Sequence, residues 1–176
     1  MKVISKITIS LLLCFLLISV KGYSQSYSNV VKANPIGLAL GNFNVTYEKM
    51  ISQSSSFLVS GSYAYKLLGE DVNTFGIGAG YRYYFTHAKT PIPSGFWVTP
   101  KVGFELGSVK DNGTNRSISA FSIGAELGYQ WAFKNGFVID LGIGPNFTTI
   151  KTDDSATFDK LSGILPSMTL SIGYAF

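Results

Sequence analysis

Cysteine, histidine and long apolar runs are all scarce in this chain, and each scarcity removes a class of function. One cysteine, Cys14, and one histidine, His87, occur in 176 residues. Cys14 lies inside an apolar N-terminal stretch, so the segment that follows has no disulfide and no thiolate chemistry. A lone histidine rules out a clustered His/Cys metal site. Charged residues are only 14% of the chain, too few for the dense Lys/Glu surface of an ordinary soluble domain. After the first two dozen residues no apolar run approaches the roughly 20 residues a spanning helix needs, and none shows helical periodicity.

The charge balance is uneven. Lys2, Lys6 and Lys21 fall in a leader without acids, which leaves 11 basic against 10 acidic residues from Gln25 onward. The formal +4 is therefore mostly a property of the leader and gives no reason to expect nucleic acid as a partner. Lys2 and Lys6 precede Ile7–Val20, an apolar run of 14 residues, and small residues Gly22 and Ser24 follow. This is the layout of a Sec-type signal peptide over 1–24, cleaved near Ser24, with Gly22 as the alternative. Lipidation at Cys14 fits poorly, because Leu13 stands where a small residue belongs and more apolar sequence follows. Residues 25–176 are then one domain.

What is present in abundance is alternation. In "SMTLSIGYAF", Met168, Leu170, Ile172, Tyr174 and Phe176 share one face, with Ser, Thr, Gly and Ala on the other. That period of two is a β-strand's. It recurs around Phe137–Phe147, Phe121–Trp131, Phe96–Gly107, Phe75–Phe85, Ser56–Lys66 and Phe43–Ile51. The first strand, near Val30–Leu40, is bent at Asn34-Pro35, after which Ile36, Leu38 and Leu40 resume the pattern. Eight strands result, joined by short turns at Gly41-Asn42, Ser52–Ser55 and Lys134–Gly136. Longer connections are expected at Leu68–Asn73, Thr86–Ser94, Val109–Arg116 and Lys151–Pro166. The reading is an all-β, eight-stranded, antiparallel up-and-down barrel. With both termini periplasmic, Ser52–Ser55, Thr86–Ser94 and Lys134–Gly136 are the periplasmic connections, two of them short as expected and Thr86–Ser94 a long exception, while Gly41-Asn42 faces outward.

Composition of the two faces decides which solvent surrounds the barrel. A soluble ligand-carrying barrel would keep its apolar residues inside. Here the non-apolar faces are mainly Gly, Ser, Thr, Ala and Asn, which suits a narrow interior filled by side chains. The apolar faces gather aromatics near strand ends, as a headgroup girdle does: Tyr81, Tyr83, Tyr84, Phe85, Tyr129, Trp131, Phe133, Tyr174 and Phe176. The expectation is a transmembrane barrel with outer-membrane lipid against its outer face. Glu48, Arg82, Lys101, Glu105, Glu126 and Asp140 then point into the lumen as a salt-bridged plug, and Lys66 either joins them or reaches the rim.

The stretches "NPIGLALG" at Asn34–Gly41, "YEK" at Tyr47–Lys49 and "YRYYF" at Tyr81–Phe85 resemble small outer-membrane β-barrel proteins common in Bacteroidetes. The resemblance implies an outer-membrane location and an eight-stranded barrel, but no substrate. The final strand, with Met168, Ile172, Tyr174 and Phe176 at even spacings, resembles the C-terminal signal by which barrel assembly machinery recognises such proteins. Lipid A deacylases and palmitoyl transferases are similar in strand number and use His with Ser and a carboxylate. His87 stands in a periplasmic turn, across the membrane from where those enzymes act, so a non-enzymatic protein is expected, with no catalytic residue and no cofactor. "GIGAG" at 76–80 and "GIGP" at 142–145 lie at alternating strand positions with no helix following, so they read as packing glycines and not phosphate loops. Asp153, Asp154 and Asp159 read as a solvated loop in preference to a weak calcium site. Loops 109–116 and 151–166 are the candidate extracellular contacts. The expected role is structural or interactive, with a narrow channel for ions or small apolar molecules as the alternative and a lipid-modifying enzyme behind both.

Overall fold

Eight antiparallel strands close on themselves in chain order, each paired with its sequence neighbours and the last with the first. The computed structural model describes residues 29–67, 70–86, 92–111, 114–152 and 162–176. The expected signal peptide, His87 and the three aspartates of 153–159 lie outside those residues. The strands are β1 (Asn29–Ala33), β2 (Asn42–Met50), β3 (Ser55–Leu67), β4 (Glu70–Tyr84), β5 (Gly95–Asp111), β6 (Thr114–Ala132), β7 (Phe137–Thr152) and β8 (Gly163–Ala175).

Outward side chains are apolar and open to the surroundings: Ile77 is 58% exposed, Leu127 60%, Ile143 58% and Met168 72%. Inward positions hold the buried polar groups, including Lys32, Glu48, Arg82, Gln130 and Asp140. On β6 the outward apolar residues run from Phe121 to Trp131, ten positions apart. At about 3.4 Å per residue and a tilt of about 40°, they span a height near 26 Å, the apolar band of an outer-membrane-type barrel. Rings ring the end that carries the termini: Phe96 packs edge-on to Tyr129 at 4.8 Å, and Tyr129 meets Trp131 at 4.6 Å.

Above Phe121 the same strands change pattern. Outward positions become Asn73, Ser108, Ser117, Ser119, Thr149 and Lys151. On the inward side Ala64, Val72 and Val109 form a buried apolar cluster, with Arg116 beside Val109 on the same face. The segments read as the loops Leu68–Asn73 and Val109–Arg116 are largely strand, with only residues 68–69 and 112–113 between paired segments. They escape a search for lipid-facing alternation because, beyond the band, water lies outside and the apolar residues turn inward. β8 likewise begins at Gly163, so the last connection is shorter than Lys151–Pro166.

The first strand also departs from expectation. β1 ends at Ala33, and Pro35–Ala39 forms a one-turn helix, α1. Asn34 caps it by accepting a hydrogen bond from the Gly37 amide at 2.9 Å, and proline occupies the start of the helix, where its missing N–H costs nothing. Gly41, at φ 93°, turns the chain into β2 in a conformation other residues rarely adopt. Ile36, Leu38 and Leu40 therefore do not continue a strand; they are exposed on and beside the helix.

The last residues before β5 have a structural use. Ile92, 4% exposed, packs into an apolar cluster with Val30, Val138 and Ala175, inward residues of β1, β7 and β8. Gln130 donates from its side-chain amide to the Pro93 carbonyl at 2.7 Å. Ile92 and Pro93 thus form a floor beneath the barrel at the end that carries Asn29 and Phe176.

Candidate functional site

Immediately above that floor, charged side chains from several strands fill the cross-section. Lys32 on β1 donates to Glu48 Oε2 and Asp140 Oδ2, each at 2.6 Å, and to Gln130 Oε1 at 2.9 Å. All three ammonium protons are thereby used. Arg82 on β4 lies across from it. Its Nη1 reaches Asp140 Oδ2 at 2.8 Å, Gln130 Oε1 at 3.0 Å and Glu48 Oε2 at 3.5 Å, while Nε donates to Thr99 Oγ1 at 3.0 Å.

The two carboxylates are satisfied on both oxygens. Glu48 Oε1 accepts from Ser56 Oγ at 2.5 Å and Tyr84 OH at 2.6 Å. Asp140 Oδ1 accepts from the Trp97 indole N–H at 2.9 Å. The Arg82 guanidinium also lies over the Trp97 ring, 3.8 Å from its centroid, a favourable cation–π placement. Two cations and two anions, none more than 2% exposed, give a neutral layer with its hydrogen bonds made internally. Such a layer is tolerated because each charge has lost water but gained fixed partners.

Trp97 fits because of two glycines. Gly128 and Gly142 face one another across the β6–β7 ladder, and a Cβ on either would run into the indole. The close-packing reading of the 142–145 stretch has this specific cause.

A second layer lies above. Lys101 donates to Glu126 Oε1 at 2.5 Å and to Ser167 Oγ at 2.8 Å. Thr169 donates to the other Glu126 oxygen at 2.7 Å. Between the layers is a cavity of about 170 Å³, bordered by Arg82, Thr99, Lys101, Glu126, Thr169 and Ser171 among others.

Of the six charged residues expected in the lumen, the structure joins Glu48, Arg82 and Asp140 in one layer and Lys101 with Glu126 in the next. Glu105 stands apart. It points inward from β5 beside Gly76, is partly exposed, and has no ion pair among the described residues. It stands farther along β5 than Lys101, beyond both charge layers, and is not part of the plug. Lys66 is exposed near Gly41, at the rim. Lys32 is the member that sequence reasoning missed. Its signal was available: it shares a face with Val30 in a short strand, and the four expected inward acids had only Arg82 and Lys101 to meet them. Gln130 and Trp97 also join the layer, and so does Tyr84, which was expected in the aromatic girdle but alternates inward with Arg82 and is buried against Glu48. Among the described residues no group of His, Cys, Asp or Glu is placed to hold a metal ion.

On β8, Met168, Ile172 and Phe176 are exposed on the outer face, and Tyr174 is partly covered on the same side. The Phe176 amide donates to the Asn29 carbonyl at 2.9 Å, which fastens the last strand to the first.

The fold has a counterpart among solved structures. The crystal structure of Neisserial surface protein A (NspA) superposes with a TM-score of 0.53 and 20% sequence identity, covering 84% of this chain and 92% of that one. At that identity the likeness concerns the fold: both are eight-stranded barrels of the outer-membrane type. No curated protein matches the chain. A family model, described as "Protein of unknown function (DUF3575)", matches residues 10–162. The chain belongs to the DUF3575 family.

Proposed function

We propose that this DUF3575 barrel resides in the bacterial outer membrane as a non-enzymatic, non-conducting protein with a structural or interaction role. The observation that carries the reading is the plug. Lys32, Arg82, Glu48 and Asp140 close the lumen with their charges mutually satisfied, and Ile92 seals the apolar floor below. An ion entering from the opposite end would have to displace several buried, charge-assisted hydrogen bonds at once.

The location follows from the leader over 1–24, cleaved near Ser24, together with the apolar band. Outer-membrane lipid covers that band. Barrel assembly machinery recognises the last strand through Met168, Ile172, Tyr174 and Phe176. The termini and the floor then face the periplasm, and the opposite ends of the β5–β6 and β7–β8 pairs, with the connections that follow Asp111 and Thr152, offer the extracellular contact surface. The runner-up, a narrow channel, requires the plug to rearrange.

Planar-bilayer recordings of the purified barrel test the reading. Silence is expected for the native protein. Discrete conductance steps that disappear when Arg82 is neutralised would replace the structural role with transport. A folded barrel that migrates differently before and after boiling, recovered with outer-membrane fractions, is the expected outcome for location.

A further inference from the structure

The barrel wall has one place without a strand. β8 pairs with β7 from Gly163 to Tyr174, but with β1 only from Ile172 to Ala175. Above Ala33 the position beside β8 is taken by α1, which lies against both β2 and β8. The nine residues Gly163–Ser171 therefore have a ladder partner on one side alone.

Hydrogen-bond direction identifies which groups are left open. Phe176 bonds toward β1 and Ala175 toward the Gly136 carbonyl, so even-numbered residues of β8 aim their peptide groups at the seam. These are Ile164, Pro166, Met168 and Leu170. Pro166 has no N–H to leave unpaired, as suits an edge. Met168 and Leu170 are cross-strand partners of Ile143 and Leu141, well inside the apolar band, where hydrocarbon cannot satisfy a peptide group. The helix offers little in return, because its own amides bond internally, Leu38 to the Asn34 carbonyl and Leu40 to that of Ile36.

The polar cavity reaches this seam. Met168, Thr169, Leu170 and Ser171 border it on the β8 side, and Asn34, Asn44 and Thr46 on the other. Asn44 and Thr46 make no side-chain hydrogen bond among the described residues. On the outer surface of the same seam stand Ile36, 50% exposed, Leu38, 44%, and Met168, 72%. Polar groups lacking partners thus lie directly behind an apolar, lipid-facing surface.

We propose that the seam between α1 and β8 is a lateral binding site for a single-chain amphiphile. Its small, uncharged, hydrogen-bonding head sits in the cavity, against the Met168 and Leu170 peptide groups, Asn44 and Thr46. Its alkyl chain lies outside, along Ile36, Leu38 and Met168. The head is uncharged because the ions beside the cavity already have partners: Lys32 and Arg82 with Asp140, and Lys101 with Glu126. A cavity of about 170 Å³ is too small for a whole lipid but large enough for a head of hydroxyl and ester groups. The floor below stops the ligand from passing through, so the site binds and does not conduct.

The test uses the full barrel in dodecylmaltoside with monomyristoylglycerol as probe, read by native mass spectrometry. One molecule retained per barrel is expected, with myristate, which carries the same chain and a charged head, retained at least about tenfold less. The pair Asn44→Leu and Thr46→Val, close in size to the originals, is expected to weaken retention at least about tenfold while heat-modifiability stays unchanged. Ser60→Phe, which fills the cavity from β3, is expected to abolish it. Leu141→Ala, on the outer face of β7, leaves it unaltered. Retention that is not saturable, or that is indifferent to both cavity variants, would mean annular lipid only and would overturn the proposal. So would a second copy pairing along β8 in place of the probe. Conductance is measured separately, so failure here is distinguishable from failure of the plug.

Discussion

Lys32 and Asp140, 108 residues apart, meet at 2.6 Å within the barrel, and both are buried. The contact joins the first strand to the seventh across the interior. It makes the charge layer a tie between the chain's two ends as well as an obstruction.

Lys32→Met is therefore expected to cost more than a surface charge would. It leaves Glu48 and Asp140 buried with one cation fewer, a situation worth about 3–5 kcal/mol of stability. Equilibrium unfolding in lipid vesicles measures the loss. The double variant with Glu48→Gln removes one excess charge, and its destabilisation is expected to fall below the sum of the single ones, as coupled partners require.

Gly142→Val places a branched side chain against the Trp97 indole. Overpacking of this kind costs about 1–3 kcal/mol. A shift in Trp97 emission, read in a Trp131→Phe background, is expected alongside the loss of stability. A similar addition at Gly61, where a Cβ would meet nothing within 4 Å, is expected to leave Trp97 unmoved.

Arginine substitutions locate the water boundary. Leu127→Arg, in the middle of the apolar band, is expected to destabilise the barrel by about 2–4 kcal/mol, and Ser117→Arg by about 0–1 kcal/mol. Equal costs at the two positions, measured by unfolding in vesicles, would contradict the band boundary drawn above Phe121.

Ile92→Ala removes the centre of the floor's apolar cluster. A loss of about 2 kcal/mol is expected, at the lower end for a buried aliphatic truncated to alanine. Conductance is expected to stay silent, because the charge layer stands intact above. Steps in this variant alone would assign the seal to the floor and not to the ions.

Much of this architecture was legible in alternation, because a strand with lipid on one side and a packed lumen on the other must alternate. The inward placement of Glu48, Arg82, Glu126 and Asp140 follows from the same period. Lys32 was missed because Pro35 disrupts its strand and β1 is only five residues long, too short for a period to register. The strand extensions on β4, β5 and β6 do not continue the alternation, because their apolar side reverses where lipid gives way to water. Glu105 shows the complementary error. Parity fixes which face a residue takes but not its height along the axis, and height decides whether a charge meets partners or open solvent.

The floor segment joins the fold from the middle of the chain, yet its neighbours Val30, Val138 and Ala175 come from the first strand and the last two. Ile92 cannot seat until β1, β7 and β8 have come together. Sealing is thus a late event in biogenesis: a barrel still open between its first and last strands is also open at the bottom, and completing the circle shuts both at once.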